Sequence, residues 1–137
     1  MNNIFLIDDD EDDHFLFKAA LESINPAMLC QTAINGKIGL EKLRNSDVLP
    51  DIIFIDLNMP AMSGLDFLVQ IKKEEKLSHL PVGIFSTSNL MRDNEMAKKF
   101  GARFFFTKPN DFQEFCKKLQ QILFTDFSAG KYLSITQ

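Results

Sequence analysis

The sequence is short of what several function classes require. Its two cysteines, Cys30 and Cys116, form no CxxC or other metal-ligand spacing, which excludes a disulfide framework or a thiolate metal site and leaves two reduced thiols inside apolar patterns. Basic residues are neither abundant nor clustered. Fifteen Lys and Arg stand against nineteen Asp and Glu, for a formal charge of -4, so the basic face that phosphate contacts need is missing and no nucleic-acid partner is expected. The pairs Lys72-Lys73 and Lys98-Lys99 read as solvated helix decoration. No apolar run is long enough to span a bilayer, and Met1 to Ile7 leads into acid rather than a cleavage site. A soluble, cytoplasmic protein with no membrane partner is the expectation. His14 and His79 have no patterned partner and read as structural or solvated. Repeats, low-complexity tracts and internal linkers are also missing, and 137 residues with 45% hydrophobic content make one domain with a full core.

What is present is a run of six acids, Asp8 to Asp13, directly after the apolar segment Ile4 to Ile7. A charge block of this kind is usually a solvated tail. Here it is followed by Phe15 to Ile24, where Leu16 and Ala20, then Phe17, Leu21 and Ile24, recur at helical spacing. The block therefore lies between two core elements. Asp10 suits an N-cap and Asp13 the N3 position, so Asp10 to Asp13 start a helix whose positive dipole end favours acid. Asp8 and Asp9 remain, crowded at a strand end where adjacent anions raise each other's pKa unless a cation joins them.

Period and punctuation predict five strands alternating with five helices, the pattern of a parallel sheet. The strands are Asn3 to Ile7, Leu29 to Ala33, Ile52 to Asp56, Val82 to Ser86 and Arg103 to Thr107. The helices are Glu11 to Ile24, Lys37 to Asn45, Gly64 to Lys76, Leu90 to Phe100 and Asp111 to Phe124. Strands two, three and four are expected to be covered on both faces, and Gly83 inside strand four has no account from the sequence. The fourth helix has the poorest apolar stripe, Met96, Ala97 and Phe100; the fifth has the clearest, Phe112, Phe115, Cys116, Leu119, Ile122 and Leu123. The expected division is a domain over residues 1–124 and a tail over 125–137 that packs on the domain or is disordered, with a short alternation from Tyr132 to Ile135.

In an open parallel sheet, ligands bind at the carboxyl ends of the strands. That rule places Asp8 and Asp9, Asp56, Ser86 and Lys108 on one rim. Three carboxylates, a hydroxyl and an ammonium form a hard-oxygen set that suits Mg2+, with room left for water and a phosphate.

These residues resemble the receiver domains of two-component response regulators. The resemblance covers about Asn3 to Phe124 and rests on Ile7-Asp8-Asp9, Ile55-Asp56-Leu57-Asn58-Met59-Pro60 with Met62 and Gly64, Pro81 through Ser86, and Thr107-Lys108-Pro109. The similarity is greatest to stand-alone receivers, since no output domain follows. It implies a doubly wound, flavodoxin-like α/β fold of five parallel strands in order 2-1-3-4-5 with five helices. By the same resemblance Asp56 is the phosphoacceptor, and Asp9, Asp56 and the Asn58 carbonyl are Mg2+ ligands with Asp8 acting through water. Lys108 holds a phosphoryl oxygen, Ser86 is the switch hydroxyl, Phe105 the switch aromatic, and the Lys108-Pro109 bond is cis. The implied donor is a sensor histidine kinase or histidine phosphotransfer protein. A downstream protein partner, or a second copy in a homodimer, would use the face of the fourth helix, fifth strand and fifth helix.

Two positions depart from the family pattern. Thr87 follows Ser86 where many receivers have Ala or Gly, and a one-residue slip would make Thr87 the switch hydroxyl. Phe105 lacks a tyrosine's hydroxyl, so it would switch by burial alone; with Phe104 and Phe106 it stands on a strand expected at the sheet edge. The rival readings are a Mg2+-dependent phosphohydrolase with an aspartate nucleophile, a flavodoxin-like cofactor binder and a receiver that is never phosphorylated. The haloacid-dehalogenase form of the hydrolase needs an acid two residues after its nucleophile, where this chain has Asn58. A cofactor-binding phosphate loop needs free amides and hydroxyls after strand one, where this chain is acidic.

Overall fold

A computed structural model describes residues 1–136. Its strands are β1 (Asn3–Ile7), β2 (Leu29–Ala33), β3 (Ile52–Ile55), β4 (Val82–Ser86), β5 (Phe104–Thr107) and β6 (Leu133–Ile135). The helices are α1 (Glu11–Ile24), α2 (Gly36–Arg44), α3 (Gly64–Lys72), α4 (Met91–Lys99) and α5 (Phe112–Leu123). All five expected strands and helices form, with ends shifted by a few residues. All strand pairings are parallel, in the order β2-β1-β3-β4-β5-β6.

The sheet thus has six strands where five were expected. The sixth lies in the tail, where Leu133, Ser134 and Ile135 pair with Phe104, Phe105 and Phe106. This corrects the placement of β5: it is not the sheet edge but lies between β4 and β6. Three residues of alternating pattern are too few to mark a strand locally; the free backbone groups of β5 supply the template. Between α5 and β6, Asp126 caps a single 3-10 turn, Phe127–Ala129, that buries Phe127.

Strand alternation sorts the core into two faces. Phe5, Ile7, Ile53, Ile55, Val82, Ile84 and Phe105 meet α2, α3 and α4. Ile4, Leu6, Ile52, Phe54, Phe85, Phe104 and Phe106 meet α1 and α5. The second face is a network of phenylalanines, with Phe17 and Phe54 edge-on at 4.9 Å and Phe54 and Phe104 at 4.8 Å between ring centroids. Gly83 acquires its reason here. It pairs with Phe104, whose ring occupies the space a Cβ at Gly83 would need. Such aromatic pairs contribute roughly 1 kcal/mol beyond area burial.

The helices begin where side chains can take the place of missing backbone partners. Asn35 caps α2, Asp111 caps α5, and Ser63 with Asp66 forms a reciprocal capping box on α3. The expected apolar stripes hold with two exceptions: Leu16 is 43% and Phe112 41% exposed. Covering of β2 on both faces is also corrected, since Leu29 is 66% exposed and only Ala33 of that strand is buried. As an edge strand with a neighbouring strand on one side only, β2 keeps Leu29 and Gln31 exposed and Cys30 and Thr32 half-buried. On α4 only Ala97 is fully buried.

Candidate functional site

Four strand ends build the site, those of β1, β3, β4 and β5. Backbone bonds run from Asp8 N to the Ala33 carbonyl at 3.0 Å and from Asp56 N to the Ile7 carbonyl at 3.0 Å, which sets the ends of β1 and β3 side by side. Lys108 N donates to the Ser86 carbonyl at 2.7 Å and so joins the end of β5 to that of β4. Gly64 lets α3 approach: its N–H donates to the Leu57 carbonyl at 2.9 Å, and a Cβ there would lie 2.6 Å from the Asp56 carbonyl oxygen.

The result brings together the carboxylates selected from the sequence. Asp8, Asp9 and Asp56 each offer an oxygen within 4.8 Å of the others. Asp8 is fully buried, Asp56 is 9% exposed, and Asp9 faces solvent. Burial pushes the Asp8 carboxyl up to about 7, against the opposing pull of the Asp10 N–H and the Lys108 ammonium. Asp56 is raised for the same reason, burial first, with Lys108 opposing. Desolvated carboxylates packed this closely are costly as anions unless a cation joins them. The oxygen donors and their crowding fit a small hard divalent ion.

Lys108 lies among these acids. Its Nζ is 2.9 Å from Asp8 Oδ2, 2.6 Å from Asp13 Oδ2 and 3.5 Å from Asp56 Oδ2, and sits 5.0 Å over the Phe85 ring. Burial opposes its charge, but Asp13, Asp56 and Asp8 more than offset that and raise its pKa above the ordinary value.

Of the remaining sequence-selected residues, Asn58 contacts Asp56 and Ser86 contacts Lys108. Asn58 is exposed, and its N–H donates to Asp56 Oδ1 at 3.4 Å. Ser86 is fully buried at the end of β4, and its Oγ accepts from Ser88 N at 3.2 Å. Thr87 is exposed just beyond the end of β4. Phe105 is fully buried in the face that packs on α2, α3 and α4. The Lys108-Pro109 bond, implied to be cis, is trans, and no cis peptide is found among the described residues. Trans is the lower-energy isomer of a prolyl bond.

Two contacts were not foreseen. Asp13, assigned to the helix start, also pairs with Lys108 across 95 residues of chain. His14 Nε2 lies 2.6 Å from the Asp8 carbonyl oxygen; a carbonyl only accepts, so this nitrogen carries the proton and tethers α1 to the acidic loop. The available signal was that α1 starts at the rim itself, so its first-turn side chains border the site.

Comparison with known proteins agrees with this geometry. The response regulator receiver domain family matches residues 4–120. Protein PilH of Pseudomonas aeruginosa is 30% identical over 123 residues, covering 90% of this chain and 98% of PilH. The sensor histidine kinase CheAY of Helicobacter pylori is 34% identical over 107 residues, which are 77% of this chain but only 13% of that kinase. Among solved structures, the phosphorylated cyanobacterial phytochrome response regulator RcpA superposes with a TM-score of 0.80 at 26% identity, covering 88% of this chain and 90% of that one. The acidic rim, the parallel sheet that carries it and a family match spanning most of the sequence agree, and the chain belongs to the response regulator receiver domain family.

Proposed function

We propose that this receiver takes a phosphoryl group from a phosphohistidine donor onto Asp56 and signals by changing a protein-binding face. The observation that carries the reading is the gathering of Asp8, Asp9 and Asp56 within 4.8 Å, with the Lys108 ammonium 3.5 Å from Asp56 Oδ2. A carboxylate is a weak nucleophile, so positioning and charge neutralisation must do most of the work. An Asp56 oxygen attacks phosphorus, a P–O bond forms, the donor's P–N bond breaks, and the electron pair leaves on the imidazole. Lys108 receives the charge of a phosphoryl oxygen, and later attack by water returns Asp56 to its free state.

Asp8, Asp9, Asp56 and the Asn58 carbonyl are the groups proposed to hold Mg2+, with Asp8 acting through water. When bound, Mg2+ neutralises charge on the transferring group. RcpA, a relative of this fold, has been solved in phosphorylated form, which supports the same role here. The domain is a signalling phosphoacceptor that catalyses only its own transfer and dephosphorylation. No helix among the described residues is long and apolar enough to cross a membrane, and a cytoplasmic location remains part of the proposal.

Ser86 and Phe105 are the proposed switch residues. The phosphoryl group adds acceptor oxygens at the rim and favours a conformer in which Ser86 leaves Ser88 and turns toward them. The signal would pass to α4, β5 and α5, where a downstream protein or a second copy of this chain binds. Such a partner meets β6 first, because β6 lies along the outer edge of β5 and Ser134 bonds to Asn94 of α4.

Incubation with Mg2+ and acetyl phosphate, followed by intact-mass measurement, tests the reading. The expected result is a single phosphoryl mass gain that disappears in Asp56→Asn. No gain, together with no response to beryllofluoride, would leave a receiver that is never phosphorylated. Continuous phosphate release from many small esters would favour the hydrolase.

A further inference from the structure

The acids of the first turn of α1 are not equivalent. Asp10 provides the cap, accepting from Asp12 N at 2.9 Å, and Glu11 and Asp12 are exposed first-turn acids. Asp13 instead reaches Lys108, and its carboxylate lies closer to the ammonium, at 2.6 Å, than Asp56 does at 3.5 Å. The Asp13 side chain is 21% and that of Lys108 11% exposed, so water screens this pair far less than a surface pair. Asp13 is outside the trio whose oxygens lie within 4.8 Å, so any effect it has on the chemistry passes through the lysine.

We propose that Asp13 is a positioning residue that holds Lys108 in a resting place displaced from Asp56, and that phosphorylation requires Lys108 to exchange Asp13 for a phosphoryl oxygen. This rests on the phosphoacceptor reading of Asp56. Held on a helix, the Asp13 carboxylate cannot follow the ammonium toward Asp56; the two positions compete for one flexible chain of four methylenes. The resting pair keeps Lys108 from closing on Asp56 and neutralising the nucleophile. It also stabilises the unphosphorylated state, and a ligand shifts such an equilibrium only by its preference for one state over the other. Asp8 also holds Lys108, at 2.9 Å, but it belongs to the acidic trio itself; the Asp13 pair is the part of the hold that lies outside the trio, and its strength adjusts how readily a given phosphoryl group drives the switch.

Two calorimetric titrations of the full chain test the exchange: Mg2+ alone, then beryllofluoride at saturating Mg2+. Asp13→Asn is compared with Asp12→Asn, which makes the same charge change at an exposed site in the same turn. The expected result is beryllofluoride binding about five-fold tighter in Asp13→Asn than in Asp12→Asn, the scale of one ordinary net hydrogen bond. Mg2+ affinity should shift equally in both, and Asp13→Glu should restore wild-type beryllofluoride affinity. Equal or weaker beryllofluoride binding in Asp13→Asn overturns the proposal while leaving the phosphoacceptor reading intact. Failure of the wild type to bind beryllofluoride at all removes that reading, and this inference with it. Asp13→Ser, small and polar, gives the same comparison should Asp13→Asn not fold.

Discussion

β5 borders two regions built on opposite terms. At its carboxyl end, Lys108 stands among Asp8, Asp13 and Asp56, where burial has pushed Asp8 up to about 7 and raised Asp56. Along its outer edge, β6 completes the ladder and Phe127 and Ile135 are buried. There the Tyr132 hydroxyl donates to Asn94 Oδ1 at 2.5 Å, Asn94 Nδ2 donates to Ser134 Oγ at 2.5 Å, and Lys98 lies 5.4 Å over the Tyr132 ring. At this edge Tyr132, Asn94 and Ser134 are paired with one another's polar atoms, and Phe127 and Ile135 are covered. The rim carries more negative charge than one lysine balances, and that excess is what a cation and a phosphoryl group would relieve. Stability is drawn from the edge, and the capacity to respond is held at the rim.

The rim depends most on Lys108. Lys108→Ala leaves a fully buried Asp8 beside Asp13 and Asp56 without that cation, and should cost about 3 kcal/mol at pH 8 in urea titrations of the metal-free protein. The pH dependence has a fixed sign. The folded Asp8 carboxyl, at about 7, lies above its unfolded value of 3.8, so the folded state binds more protons between these values. Stability is therefore greatest below about pH 4 for this group and falls as pH rises through about 7. The loss in Lys108→Ala should be larger at pH 8 than at pH 5.5, and millimolar Mg2+ should reduce it. A loss independent of pH would assign Lys108 to packing over Phe85 instead.

Removal of residues 126–137 tests the other region. It uncovers the β5 edge and strips the buried Phe127 and Ile135, and should cost about 2 kcal/mol by denaturant midpoint. Light scattering should show self-association through the bared edge, while beryllofluoride binding at the rim persists. An unchanged midpoint would mean that β6 adds nothing to the fold. The mildest intervention is Tyr132→Phe, which keeps the ring and removes the hydroxyl shared with Asn94. A loss near 1 kcal/mol is expected, with faster hydrogen exchange confined to α4.

The two regions were also unequally readable from the chain. Asp8, Asp9, Asp56, Ser86 and Lys108 could be selected in advance, because each ends or follows a strand whose apolar run is visible locally and strand ends converge in a parallel sheet. The Asp10 cap was equally local and formed as expected. The pairing of Asp13 with Lys108 was not legible, since helix position explains an acid there without any distant partner. β6 escaped because three residues hold too little pattern to compete with a loop; pairing with β5 is what makes them a strand. Gly83 looked like a defect until Phe104 was seen to fill its place.

By itself the sequence determined the alternation of strands and helices, the parallel order of the first five strands through the family resemblance, and the residues at the strand ends. These depend on periodicity, capping and punctuation, which act over a few residues. Only the tertiary structure decided which acid Lys108 approaches, where the tail lies and why strand four has a glycine. Those outcomes depend on side chains distant in sequence occupying the same few ångströms, a condition that local pattern does not encode.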